Sequence, residues 1–153
     1  MTAREPASSP DDEQALDEAM ELMHFAFRRV VEAPDRVLAQ RGLSRLHHRI
    51  LYVVGHNPGI VVSDVVALLG VTKQAVHRPL RQLVEAGLVA GSPGDDRRQK
   101  TLDLTAQGRR LERRLARLQH AMFRRAFEEV GLRAELGWRR AMDVLGGRRR
   151  LKV

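Results

Sequence analysis

The stretch TKQAVHRPLRQL, from Thr72 to Leu83, holds the side chains best suited to chemistry. On a helix at 100° per residue, Gln74, His77, Arg78 and Arg81 fall within an arc of about 100°. Val76, Leu80, Leu83 and Val84 gather on the opposite side. Such a helix packs one face and offers the other. The offered types are those that read base edges: Arg matches guanine and Gln matches adenine. Lys73 and His77 can reach phosphates or bases, and Lys73 and Gln74 lie at the N-terminal end that usually enters the major groove. A second basic element follows. Asp95-Asp96-Arg97-Arg98 sets two Arg beside a tight turn, and guanidinium groups on a hairpin tip suit the minor groove. Ser63 and Thr72, at two helix starts, and Lys100, just past the turn, complete the candidate DNA contacts with Lys73, Gln74, His77, Arg78, Arg81, Arg97 and Arg98.

Charge agrees with a polyanionic partner. The 153-residue chain carries a net +8. Residues 1–35 hold nine acids against three Arg, a net of −6, and the remainder holds 24 basic residues against ten acids, a net of +14. A basic body behind an acidic first segment points to nucleic acid. Arg-rich codon usage could produce the same bias, so the local pattern has to decide. The chain has no Cys. Disulfides, thiolate zinc sites and cysteine redox sensing are thereby removed, and a reducing, cytoplasmic setting is expected. No apolar run approaches the roughly 18 residues of a membrane span, so no membrane partner is expected. A nucleophile elbow, P-loop, dinucleotide fingerprint and metal-ligand spacing are all missing. The reading is therefore neither an enzyme nor a holder of a cofactor.

These residues need elements to position them. Residues 1–9 read as disordered, and Ser9-Pro10-Asp11-Asp12 reads as a helix start. Leu16, Met20, Met23, Phe27, Val30, Pro34 and Leu38 then recur in alternating steps of four and three, the seam of helix-on-helix packing. Pro34 is expected to kink or interrupt this segment, which runs over 10–43. A second helix is expected from about Ser44 to Asn57. Ser63 is expected to cap a third over Asp64 to Leu69, with the turn at Gly70. Thr72 caps a fourth from Lys73 to about Ala86, and Gly87 stops it. Leu88-Val89-Ala90 and Thr101-Leu102-Asp103-Leu104 read as the strands of a hairpin. Thr105 caps a long fifth helix with Leu111, Leu115, Leu118 and Met122 on its seam. Gly131 breaks it, a last helix covers Arg133 to Leu145, and residues 148–153 form a basic tail.

Pro79 is the anomaly. A proline inside a helix loses the bond to the carbonyl four residues back and crowds it, at a cost of about 3 kcal/mol or more. The apolar period nevertheless continues in phase from Val76 to Val84. The expectation is one helix, bent near Ala75–Arg78.

The result is mainly α with a small β-hairpin wing. It is a winged helix-turn-helix over 44–104, flanked by dimerisation helices over 10–43 and 105–147. This order resembles the MarR family of bacterial transcription regulators. The resemblance is specific over VVSDVVALLGVTKQAVHRPLRQLVEAGLVAGSPGDDRRQKTLDLTAQG. Its landmarks are the Gly70 turn, the Leu-x-x-x-Gly-Leu-Val exit from Leu83 to Val89, the Asp-x-Arg wing from Asp95 to Arg97, and the Leu-Thr-x-x-Gly start from Leu104 to Gly108. The chain departs from the family in its shorter wing and in Pro79. The resemblance implies a homodimer whose first, fifth and sixth helices interlock. It also implies two half-sites of double-stranded DNA about one turn apart in a near-palindromic operator, usually repressed. It further implies a small aromatic or phenolic effector bound between the arms and the reading heads. His24 and Phe27 on the first helix, with His47, His48 and Tyr52 on the second, are the candidate effector contacts. Dimer packing for the first pair and plain surface positions for His47 and His48 are the alternatives. A ligand-independent, architectural DNA-binding protein is the rival function.

Overall fold

The computed structural model describes residues 9–93 and 100–147. Helix α1 runs over Pro10–Ala39 without interruption, so Pro34 does not break it. Of the two expectations, a kink or an interruption, the interruption does not occur: Pro34 is buried on the same side as Val31 and Leu38, and that burial offsets the lost backbone bond. The helix begins with a reciprocal capping box. The Asp12 amide donates to Ser9 Oγ, and the Asp12 carboxylate accepts from the Ser9 amide and hydroxyl. Those bonds, the hydroxyl's foremost, hold the Asp12 carboxyl below its usual range.

Helix α2 spans Arg45–His56 and is the centre of the molecule. Its Ile50, Leu51 and Val54 are almost wholly buried. Around them pack Leu38 of α1, Val65 and Leu69 of α3 (Val62–Leu69), and Val76 and Leu83 of α4 (Lys73–Glu85). Val89 of strand β2 (Val89–Pro93), Leu102 and Leu104 of strand β3 (Lys100–Leu104), and Leu111 and Leu115 of α5 (Ala106–Leu145) complete the same core. Every long element thus contributes to one apolar cluster.

The wing contains a strand that the sequence pattern does not reveal. Strand β1, Ile60–Val61, pairs antiparallel with β3, giving the sheet order β1-β3-β2. Because β1 runs directly into α3, the N-cap of α3 is Val61, not Ser63. Ser63 is instead an exposed residue inside the first turn. At the far end, α5 is helical on both sides of Gly131, whose φ of 80° and ψ of 167° break the helical path. That backbone region is essentially restricted to glycine. The expected division into two helices at Gly131 therefore holds.

Two apolar faces are largely uncovered among the described residues. Leu16, Met20, Met23 and Phe27 of α1 are all more than half exposed, as are Val130, Leu132, Leu136, Val144 and Leu145 of α5. The seam on α1 therefore divides. Its C-terminal part packs into the chain's own core, and its N-terminal part is left unpartnered.

Candidate nucleic-acid interface

Helix α4 is built to present a side. The Thr72 hydroxyl accepts the Ala75 amide at 3.2 Å, capping the first turn. Gly70, with φ of 64°, makes the left-handed turn that brings α3 into α4. At the other end, the Leu88 amide bonds the Leu83 carbonyl and the Gly87 amide bonds the Val84 carbonyl. This pair of bonds is the Schellman pattern that stops a helix at glycine. Between these ends the helix runs unbroken across Pro79, as the continuous apolar phase predicts.

Val76 and Leu83 are fully buried and Leu80 is half-buried, whereas Val84, expected on the packed side, is exposed. Lys73, Gln74, His77, Arg78 and Arg81 are all exposed. The Arg81 guanidinium lies 3.5 Å from the Glu85 carboxylate, both well exposed. A pair of this kind contributes at most about 1 kcal/mol, so Glu85 can orient Arg81 without withholding it from a phosphate.

Beside α4 lies a groove of about 620 Å³, with Val62, Val66 and Leu80 among its apolar walls. Ser63, Lys73, His77 and Lys100 line it too, so α3, α4 and the base of the wing meet on one surface. The structure therefore brings Ser63, Thr72, Lys73, Gln74, His77, Arg78, Arg81 and Lys100 onto neighbouring elements. Arg97 and Arg98, the expected wing-tip contacts, lie outside the described residues.

The candidate effector residues do not converge in this way. His24 is exposed on α1 and packs edge-on against Phe25. Phe27 is exposed, with the Arg45 guanidinium 5.3 Å from its ring centre. Tyr52 stacks on His56 at 4.0 Å between ring centres. His47 and His48, for which surface positions were the alternative, are both buried. His48 is pushed below its ordinary imidazole value by burial, with Asp35 opposing. A separate apolar cavity of about 460 Å³ lies between α1 and α5, where Phe123, Phe127 and Trp138 form a mutual ring cluster.

Sequence reasoning also missed the ties that hold the reading unit together. Arg49 of α2 donates to the Leu69 carbonyl at the end of α3 at 2.6 Å. Arg45 at the start of α2 pairs with Asp35 of α1, and the hydrogen bond it donates to Asp35, aided by the carboxylate's charge and opposed by desolvation, raises the Arg45 guanidinium further. His47 contacts Gln82 of α4 at 2.9 Å. None of these long-range contacts has a local signal; the Ser-x-x-His at Ser44 marks only the cap that His47 makes with Ser44, where a capping box ordinarily has Ser-x-x-Glu. Among the described residues no group of three potential metal ligands is present, and no helix is long and apolar enough to cross a membrane.

Comparison with known proteins gives this arrangement a family. The MarR family model matches residues 41–99. The chain is 38% identical over 135 residues to the HTH-type transcriptional regulator PetP of Rhodobacter capsulatus, covering 88% of this chain and 81% of that protein. Streptococcus pneumoniae FabT, solved in complex with DNA, superposes with a TM-score of 0.76 at 23% identity, over 89% of this chain and 96% of FabT. The MarR family protein Rv2887 of Mycobacterium tuberculosis, solved with p-aminosalicylic acid, gives 0.59 at 25% identity, over 82% and 96%. With the winged helix built as described and a relative this similar along most of its length, the chain belongs to the MarR family of transcriptional regulators.

Proposed function

We propose that the protein is a DNA-binding transcription regulator that reads a near-palindromic operator as a homodimer. One observation carries this reading. Helix α4 buries Val76 and Leu83 in the core and exposes Lys73, Gln74, His77, Arg78 and Arg81 together on the other side. A helix anchored in this way can enter the major groove with base-reading groups foremost. Arg97 and Arg98 extend the contact to the minor groove and the backbone, and Ser63, Thr72 and Lys100 position the helix against phosphates. Pro79 bends α4 and sets the tilt of Lys73, Gln74 and His77 relative to Arg81.

The unpartnered apolar faces of α1 and α5 support dimerisation. Contiguous apolar surface of this extent marks an interaction site, and a two-fold dimer would set two copies of α4 about one DNA turn apart. The mode is repression, relieved by a small aromatic or phenolic effector that shifts the population to a spacing unfit for DNA. The complex of Rv2887 with an aromatic acid lends support to an effector of that class. His24, Phe27, His47, His48 and Tyr52 are its proposed contacts. Since His47 and His48 are buried in the single chain, the effector would reach them only where the packing around α2 opens, toward α4 for His47.

Selection of bound sequences from random DNA at physiological salt tests the reading. Recovery of an inverted repeat with half-sites about one turn apart is the expected result. Recovery of no motif, with binding that falls steeply with salt, would leave an architectural protein held by charge alone.

A further inference from the structure

We propose that His47 is a positioning residue for the DNA-facing helix: its two ring nitrogens tie the first turn of α2 to Gln82 and so fix the roll of α4. The proposal rests on the DNA-reading function put forward above.

The ring's protonation follows from geometry. His47 is 5% exposed. Its Nδ1 lies 3.0 Å from the Ser44 backbone nitrogen and 2.9 Å from Ser44 Oγ. A backbone amide can only donate, so Nδ1 accepts and carries no proton. The neutral ring then has its proton on Nε2, which stands 2.9 Å from Gln82 Oε1 and donates to it. Glu or Gln at this third helical position would satisfy the Ser44 amide and could end there. The imidazole satisfies the same amide and presents a second nitrogen, at a fixed angle, to a helix 35 residues further along the chain.

The placement of Gln82 determines what this bond does. Val76 and Leu83, the fully buried anchors of α4, are seven residues apart and fall within about 20° of one line along the helix. Leu80, half-buried against the same core, stands about 40° to the other side of Val76, so the apolar contacts span only about 60° of the helix and resist rotation less well than a bond placed outside that arc. Gln82 lies about 100° around the helix from Leu83. A directional bond there opposes roll. The same turn of α2 is referenced to the long arm, because Arg45 pairs with Asp35 of α1. The roll of α4 decides which of Gln74, His77 and Arg78 points to base edges and which to phosphates.

The test uses Gln82→Met and Gln82→Glu in the full chain. Met has similar length and helix preference but offers no useful acceptor. Glu keeps an acceptor for the Nε2 proton. Affinity is measured for the selected operator and for a random duplex, with thermal melting alongside and with imidazole nitrogen NMR of the wild type. Gln82→Met is expected to bind the operator about three- to tenfold more weakly, the size of one net hydrogen bond. Its binding to random DNA should be unchanged, and its melting temperature should move by only a few degrees. Gln82→Glu should stay close to wild type, and NMR should find the His47 proton on Nε2. Simple packing predicts the reverse order, with Met harmless and a half-buried Glu damaging. Wild-type operator affinity in Gln82→Met, or a His47 proton on Nδ1, would overturn the proposal alone. A wild-type protein that selects no motif would remove the DNA-reading function and this proposal with it.

Discussion

Gly108 is the position where a single methyl group should do most damage. It sits in the first turn of α5, against the residue that leads from α4 into the wing. A Cβ built on Gly108 would lie 1.9 Å from the Leu88 carbonyl oxygen and 2.9 Å from its carbonyl carbon. Carbon and oxygen in contact sit about 3.3 Å apart, so α5 or the Leu88 segment must move by at least ~1 Å. Both are backbone, and no side-chain rotation can relieve the clash. The movement pulls on the Thr105 amide, bonded to the Leu88 carbonyl at 3.1 Å, and on the Thr105 hydroxyl, bonded to the Gly87 carbonyl at 2.7 Å. Loss of two such bonds costs about 2 kcal/mol, and overpacking adds ~1–3 kcal/mol. The better helix propensity of Ala returns up to about 1 kcal/mol. Gly108→Ala should therefore destabilise by ~2–4 kcal/mol, a drop of about 5–15 °C in Tm for a chain of this size. The assay is thermal and urea unfolding followed by circular dichroism. Gly137→Ala, where the added Cβ meets nothing within 4 Å, is the control and should melt at or slightly above wild type. A Gly108→Ala protein melting within about 2 °C of wild type would refute so close an approach of α5 to Leu88.

Three further outcomes are expected. Burial lowers His48 below its ordinary 6.5, so the unfolded chain takes up this proton at a higher pH than the folded one. Stability is then whole above about 6.5 and falls as pH drops below it. His48→Gln should lose less Tm than wild type between pH 7.5 and 5.5, and equal losses would remove His48 from the account. Pro79→Ala restores an amide for the Ala75 carbonyl and should stabilise by up to about 3 kcal/mol. It should weaken operator binding at the same time, and undiminished affinity would mean that the proline shapes nothing. Gln74→Ala should cost ~1–3 kcal/mol at particular base pairs and leave random DNA unaffected. Equal loss on both DNAs would refute its reading role.

Local rules were sufficient for α4. Thr72, the spacing of Val76, Leu80 and Leu83, and Gly87 state its start, buried side and end, and Lys73–Glu85 is the helix observed. Capping and amphipathic period are local physics, and Pro79 leaves the period in phase. Strand β1 was not legible, because a two-residue strand has no period and exists only through pairing of Ile60 with Leu102. The start of α3 was misplaced for the same reason, since β1 runs straight into it and leaves Ser63 inside the helix.

Local sequence was enough for the order of the helices and of strands β2 and β3, for the caps at Ser9, Thr72 and Thr105, for the break at Gly131 and for the residue types that α4 turns outward. All of these follow from neighbours within a turn or two of chain. Tertiary structure alone decided that Pro34 could remain in an unbroken helix, that His47 and His48 would be buried, and that His47 would reach Gln82. It also divided the α1 seam into a part covered by the chain's own core and a part left open. Burial and partner choice depend on what the rest of the chain brings alongside a residue, and helical or strand spacing carries no record of that.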